Sequence, residues 1–149
     1  MDAFDADVLI YAAAPDHELG RRIRPLFRHD VRLDSDADSV VIAGVGSVLL
    51  VPELLTKPTR EMAEAELIEL AALLGRLTLL PVDMATASLA TALGASYRLR
   101  AVDAVHLATA VLAGADRFLT NNAKDFPKSI SEIEIVYPLD LPDPGGRRG

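Results

Sequence analysis

Short apolar runs alternate with longer amphipathic stretches along this chain, and that alternation constrains its fold more than any other feature. Phe4 to Ala14 is almost wholly apolar after its acids, with Val8, Leu9, Ile10 and Tyr11 in succession, and reads as a first strand buried on both faces. Val40 to Val45, Leu77 to Val82, Arg117 to Thr120 and Glu134 to Tyr137 read as further strands. Between them, Asp16 caps a helix through Arg28, and Ser47 to Leu55 forms a short helix that Pro52 kinks or shortens. Pro58 opens a longer helix with an apolar face of Met62, Leu67, Ile68, Leu70, Leu73 and Leu74, stopped by Gly75. Asp83 caps a helix from Met84 to Tyr97, and Gly114 ends another that begins at Val102. Asp34 to Ser39 is a polar loop. The order predicts a three-layer α/β/α fold around a central parallel sheet of four to five strands, with the working site at the strands' carboxyl ends.

At 149 residues the chain has the size of one domain, expected over residues 1–138, with 139–149 a disordered Pro- and Gly-rich tail. Cysteine is absent, which excludes thiol nucleophiles, disulfides and cysteine-ligated metals. The sequence starts acidic, without a basic leader or an apolar run long enough to cross a bilayer, so the expected location is the cytoplasm with no membrane contact. The net charge of −7 runs against nucleic-acid binding, yet clustered carboxylates that hold a cation account for part of it. Basic residues also group locally, at Arg21, Arg22, Arg24 and Arg28, at Arg98 and Arg100, and at Arg117, Lys124 and Lys128. Most of these read as solvated helix surface, although a local basic surface suffices to bind phosphate.

Candidate chemistry lies in acids set among apolar residues. Asp5 and Asp7, two positions apart, share one side of the first strand, where burial requires a partner or a metal; if the strand starts late, both are simply solvated. Glu53 stands in Val51-Pro52-Glu53-Leu54-Leu55 with few charged neighbours and is a candidate ligand, a weak signal by itself. Asp103 occupies the first turn of a nearly apolar helix, where it serves either as ligand or as cap. His106 shares its face three residues on and reads as a packed or supporting histidine in preference to a ligand. Thr120, Asn121 and Asn122 end a strand, and Asp125 either joins them in a site or caps the turn.

Four segments in this order resemble the PIN-domain family, and within it the VapC-type toxin nucleases. They are Phe4-Asp5-Ala6-Asp7-Val8-Leu9-Ile10-Tyr11-Ala12, Pro52-Glu53-Leu54-Leu55, Asp103-Ala104-Val105-His106-Leu107-Ala108-Thr109-Ala110, and Gly114 to Asn122 followed by Asp125-Phe126. The resemblance spans residues 4 to 138 and implies a PIN-like ribonuclease that hydrolyses RNA phosphodiester bonds with Mg²⁺ or Mn²⁺. Asp5, Glu53 and Asp103 would hold the metal, with Asp7, Thr120, Asn122 and Asp125 in support. It further implies a homodimer and a small antitoxin protein as partner. Many family members carry a fourth acid where Asn122 stands. Either Asp125 supplies it, or three acids suffice with Asn122 as a neutral ligand; the direct attachment of Asn122 to a strand favours the second. Two other readings compete. One is a PIN-fold RNA- or protein-binding module with an impaired site. The other is a haloacid-dehalogenase-like phosphatase, which Val8-Leu9 disfavours because that family usually continues with Gly-Thr.

Overall fold

The computed structural model describes residues 1–28 and 41–145. The expected polar loop at 34–39 lies outside them. Five strands, β1 (Asp2–Phe4), β2 (Gly44–Ser47), β3 (Leu77–Leu80), β4 (Arg117–Leu119) and β5 (Glu134–Val136), form one sheet in the order β3-β2-β1-β4-β5. Every adjacent pair is parallel. The helices are α1 (Ala6–Ala13), α2 (Gly20–Ile23), α3 (Leu50–Arg60), α4 (Glu64–Leu74), α5 (Met84–Tyr97) and α6 (Ala101–Leu112), with 3-10 turns at Arg24–Phe27 and Pro138–Asp140.

Strand alternation makes the three layers. Phe4, Leu119 and Val136 join one core with Leu9 of α1, Leu54 of α3 and Leu74 of α4. Their immediate neighbours Ala3, Phe118 and Ile135 join the opposite core with Leu93 of α5 and Leu107 of α6. Successive strand residues thus bury on opposite faces, as a doubly covered parallel sheet requires. No helix among the described residues is long and apolar enough to cross a membrane.

The structure corrects several expected elements. The Phe4 to Ala14 run is a strand only to Phe4, and then becomes α1. Val8, Leu9 and Ala12 are buried at helical spacing, while Ile10 is 46% exposed; apolar residues on both sides of the helix hid its period. Asp5 and Asp7 therefore do not share a strand face: Asp5 caps α1, and Asp7 sits in its first turn. The helix expected from Asp16 to Arg28 shrinks to α2 and a 3-10 turn, since Pro25 has no N–H to continue the ladder. Gly20 lets α2 pass close to α1, because a Cβ there would lie 2.1 Å from the Tyr11 carbonyl oxygen.

Pro52 falls at the third position of α3, where its missing N–H costs no helical bond. Pro58 does not start a helix but lies within α3, and the break before α4 comes at Met62, whose φ is +52°. Gly75 and Gly114 follow α4 and α6 as expected, Gly114 with φ +72°. Packing also extends past residue 138: Leu141 is buried in the core, and Arg22 Nη1 donates to its carbonyl at 2.7 Å. Residues 146–149 of the expected tail lie outside the described residues.

Candidate active site

The strand order reverses between β1 and β4, and the acids gather at the carboxyl ends of these two strands. Asp5 directly follows β1 and is 6% exposed. Its Oδ1 accepts from the Ala6 N–H at 2.8 Å, and its Oδ2 accepts from the Thr120 hydroxyl, also at 2.8 Å, across the reversal point. Burial raises its pKa above the ordinary carboxyl value, and the Thr120 bond and His106 only partly offset this.

Asp7 faces the same strand ends from the first turn of α1. Its Oδ1 accepts from the Val8 N–H at 2.7 Å and its Oδ2 from the Asn121 N–H at 2.9 Å. Burial, reinforced by the charge of Asp5, pushes its pKa up to about 7. Asp103, in the first turn of α6, has its pKa raised by partial burial and then by Asp5 and Asp125. The charge of Asp5 raises the pKa of Asp7 and of Asp103, and the charge of Glu53 raises that of Asp5, so the acids form an electrostatically frustrated cluster.

Glu53 reaches the cluster from the first turn of α3, which follows β2. Its Oε2 lies 2.7 Å from Nε2 of the buried His106. One donor atom each from Asp5, Glu53 and His106 lie within 4.8 Å of one another, a spacing that one divalent cation could bridge. Burial opposes protonation of His106, but the hydrogen bond and charge of Glu53, with Asp5 and Asp103 behind it, outweigh that and raise its pKa.

The seven residues that the resemblance assigns to the metal site and its support all fall in this region. Asp5, Asp7, Glu53 and Asp103 act on one another through charge, and Thr120 braces Asp5 by a hydrogen bond. Asn122 does not point a free carboxamide at the acids. Its Nδ2 donates to Asp125 Oδ2 at 2.8 Å, and its Oδ1 accepts from the Asp125 N–H at 3.2 Å. Two residues gain a larger place than their sequence suggests. His106 meets Glu53, and Arg100 lines a cleft of about 600 Å³ with Leu49, Pro52, Glu53, Val102 and Asp103. The i, i+3 spacing of Asp103 and His106 was the available signal for the first. Other basic residues are tied up structurally: Arg24 on the Ala14 carbonyl, Arg117 on Asp2 and Lys128 on Asp140. A larger groove of about 790 Å³, between the end of α1 and α4, is lined by none of the clustered acids.

A doubly covered parallel sheet with carboxylates converging at its topological switch point defines the class. The PIN domain family model matches residues 3–129, and the chain belongs to the PIN domain family. Solved structures share its fold. A toxin-antitoxin complex from Klebsiella pneumoniae is 23% identical, with TM-score 0.65, covering 93% of this chain and 98% of that one. DNA-bound VapBC from Salmonella typhimurium is 20% identical, with TM-score 0.64 and coverages of 92% and 97%. VapBC2 from Rickettsia felis, bound to a promoter DNA fragment, is 17% identical, with TM-score 0.63 and coverages of 91% and 97%. No curated protein matches the chain significantly.

Proposed function

We propose that this chain is a divalent-metal-dependent endoribonuclease of the VapC type, the toxin of a toxin-antitoxin pair acting in the cytoplasm. The gathering of ligand atoms of Asp5, Glu53 and His106 within 4.8 Å, with Asp103 close enough for the charges of Asp5 and Glu53 to raise its pKa, carries this reading. Like charges held together in partial burial are costly without a cation, and hard oxygen donors suit Mg²⁺ or Mn²⁺. When bound, such an ion supplies positive charge that stabilises the phosphate and acidifies the attacking water.

The chain's own groups provide the rest. Thr120 and the Ala6 N–H fix both oxygens of Asp5, so this ligand is preorganised. Asp7, held between two backbone N–H groups beside Asp5, is placed to accept a proton from water. Asp125, clasped by Asn122 and acting on Asp103, supplies the fourth acid. Arg100 offers a cation to the RNA backbone beside these acids, in a cleft with apolar walls for a base.

The antitoxin partner rests on the complexes named in the similar structures. The groove between α1 and α4 supports it, with apolar Ile10, Pro15 and Ile68 and charged Arg24, Glu66 and Glu69. A homodimer interface would use the early helices, around Leu19 to Phe27 and Met62 to Leu74; of these, Ile23, Phe27, Leu70 and Leu74 are buried, while Met62 and Ile68 remain exposed.

Incubating the purified chain with single-stranded RNA of mixed sequence tests the nuclease reading. Internal cleavage is expected with Mg²⁺ or Mn²⁺ and none with EDTA. Cleavage that persists in EDTA, or none with either ion, overturns it.

A further inference from the structure

Glu53 and His106 are unequal partners. The glutamate extends from an exposed position in the first turn of α3, on a side chain with three rotatable bonds. Its carboxylate has no hydrogen-bond partner among the described residues other than His106. His106 is rigid by comparison: it is 2% exposed and lies in the middle of α6. Its Nδ1 is buried without a partner. In either charge state the ring therefore presents an Nε2–H that the carboxylate accepts, and in the neutral ring only a lone pair is left unpaired on Nδ1. One Glu53 oxygen is then anchored, and Glu53 keeps a ligand atom within 4.8 Å of one on Asp5.

We propose that His106 is a positioning residue for the metal site: its Nε2–H holds Glu53 in the ligating arrangement, and His106 itself does not ligate. The inference rests on the metal-site reading above. The physical reason is preorganisation. A mobile glutamate must be ordered each time an ion binds, whereas one already hydrogen-bonded to a buried ring has lost that freedom during folding. Such outer partners of ligating groups typically govern metal affinity by about 10- to 100-fold. A ligating imidazole would have a different signature. Nitrogen donors favour Mn²⁺ over Mg²⁺, so its loss would fall on Mn²⁺ selectively.

The test is calorimetric titration of Mn²⁺, and separately of Mg²⁺, into the full chain. His106→Leu fills the ring's place without a donor, and His106→Gln can present an amide N–H near the Nε2 position. His106→Leu is expected to weaken both ions about tenfold, and His106→Gln to restore binding to within about threefold of wild type. In a Glu53→Ala background, His106→Leu should add no further loss, because its route through Glu53 is already gone. If the leucine variant fails to fold by circular dichroism, His106→Asn replaces it, since its shorter amide cannot reach Glu53. Wild-type affinity for both ions in the donor-free variant overturns the inference. So does a loss confined to Mn²⁺ that glutamine does not rescue, which would make His106 a ligand. Wild-type protein that takes up neither ion overturns the metal-site reading itself, and the inference with it.

Discussion

Asn122 and Asp125 clasp each other: the Asn122 carboxamide donates to the Asp125 carboxylate at 2.8 Å and accepts from its backbone N–H at 3.2 Å. The sequence favoured Asn122 as a neutral ligand in a three-acid site. The clasp instead occupies both ends of its amide and sets Asp125 where its charge reaches Asp103. Asp125→Asn should therefore slow RNA cleavage by about tenfold or more, the typical effect of losing a group that supports metal ligands. Asn122→Asp would face one carboxylate with another, and should lower both cleavage and the melting temperature, the latter by about 2–4 °C for a loss of about 1 kcal/mol. Tighter metal binding by Asn122→Asp, with Asp125→Asn silent, would restore the three-acid scheme. Cleavage assays beside metal titrations decide it.

The raised acids make a prediction about the metal-free protein. Asp7 has its pKa near 3.8 when unfolded and about 7 when folded, so between these values the folded chain holds a proton that the unfolded chain has released. Stability from this group is complete below about pH 4 and is lost as pH rises through 7. Asp5, Asp103 and His106, all raised, act in the same direction. In EDTA the melting temperature should fall from pH 5 to pH 7.5, and Asp7→Asn should flatten that slope. Millimolar Mn²⁺ or Mg²⁺ at pH 7.5 should recover stability by mass action. A melting temperature that rises over this range in EDTA, or that ignores both ions, would show that no such cluster is assembled.

Arg100 tests the RNA-binding face. It lines the cleft beside Glu53 and Asp103 and has no role in the cores. Arg100→Ala should raise KM while changing kcat little, and should reduce the salt dependence of RNA binding by about one counterion. An unchanged KM and salt slope would move the RNA elsewhere.

Self-association should follow from the exposed apolar side chains. Met62 is 88% exposed and Ile68 59%. Sedimentation at high micromolar concentration should give a particle of twice the 16.0 kDa chain, and Ile68→Glu should shift it toward monomer. A wild-type monomer at that concentration would remove the dimer and leave the nuclease reading intact.

Much of this fold could be read in the sequence where a local signal and a tertiary need agreed. Asp83 capped α5 as expected, its side chain accepting the Thr86 N–H at 2.9 Å, and the apolar Ala101–Leu112 helix set Asp103 in its first turn. The reading failed where apolar composition carried no period. The α1 segment is apolar even at exposed Ile10, so helix and strand looked alike. It failed again at Pro58, because a proline late in a helix sacrifices only one bond and need not start a new element. The acids themselves were visible as charges in apolar surroundings. Thr120 and His106 were read as supporting residues, but which acid each meets was not visible: His106 is 53 positions from Glu53, and Thr120 is 115 from Asp5, distances that only the folded sheet closes.

The most direct test of a single site built from distant acids is the RNA cleavage rate of Asp5→Asn, Glu53→Gln, Asp103→Asn and the Asp5→Asn/Asp103→Asn double variant, each confirmed folded and assayed in Mn²⁺. If the three carboxylates act as one unit, each single change should cost at least about a hundredfold, and the double change should cost little more than the worse single one. A single variant that cleaves at the wild-type rate, or losses that multiply as though independent, would contradict the shared site.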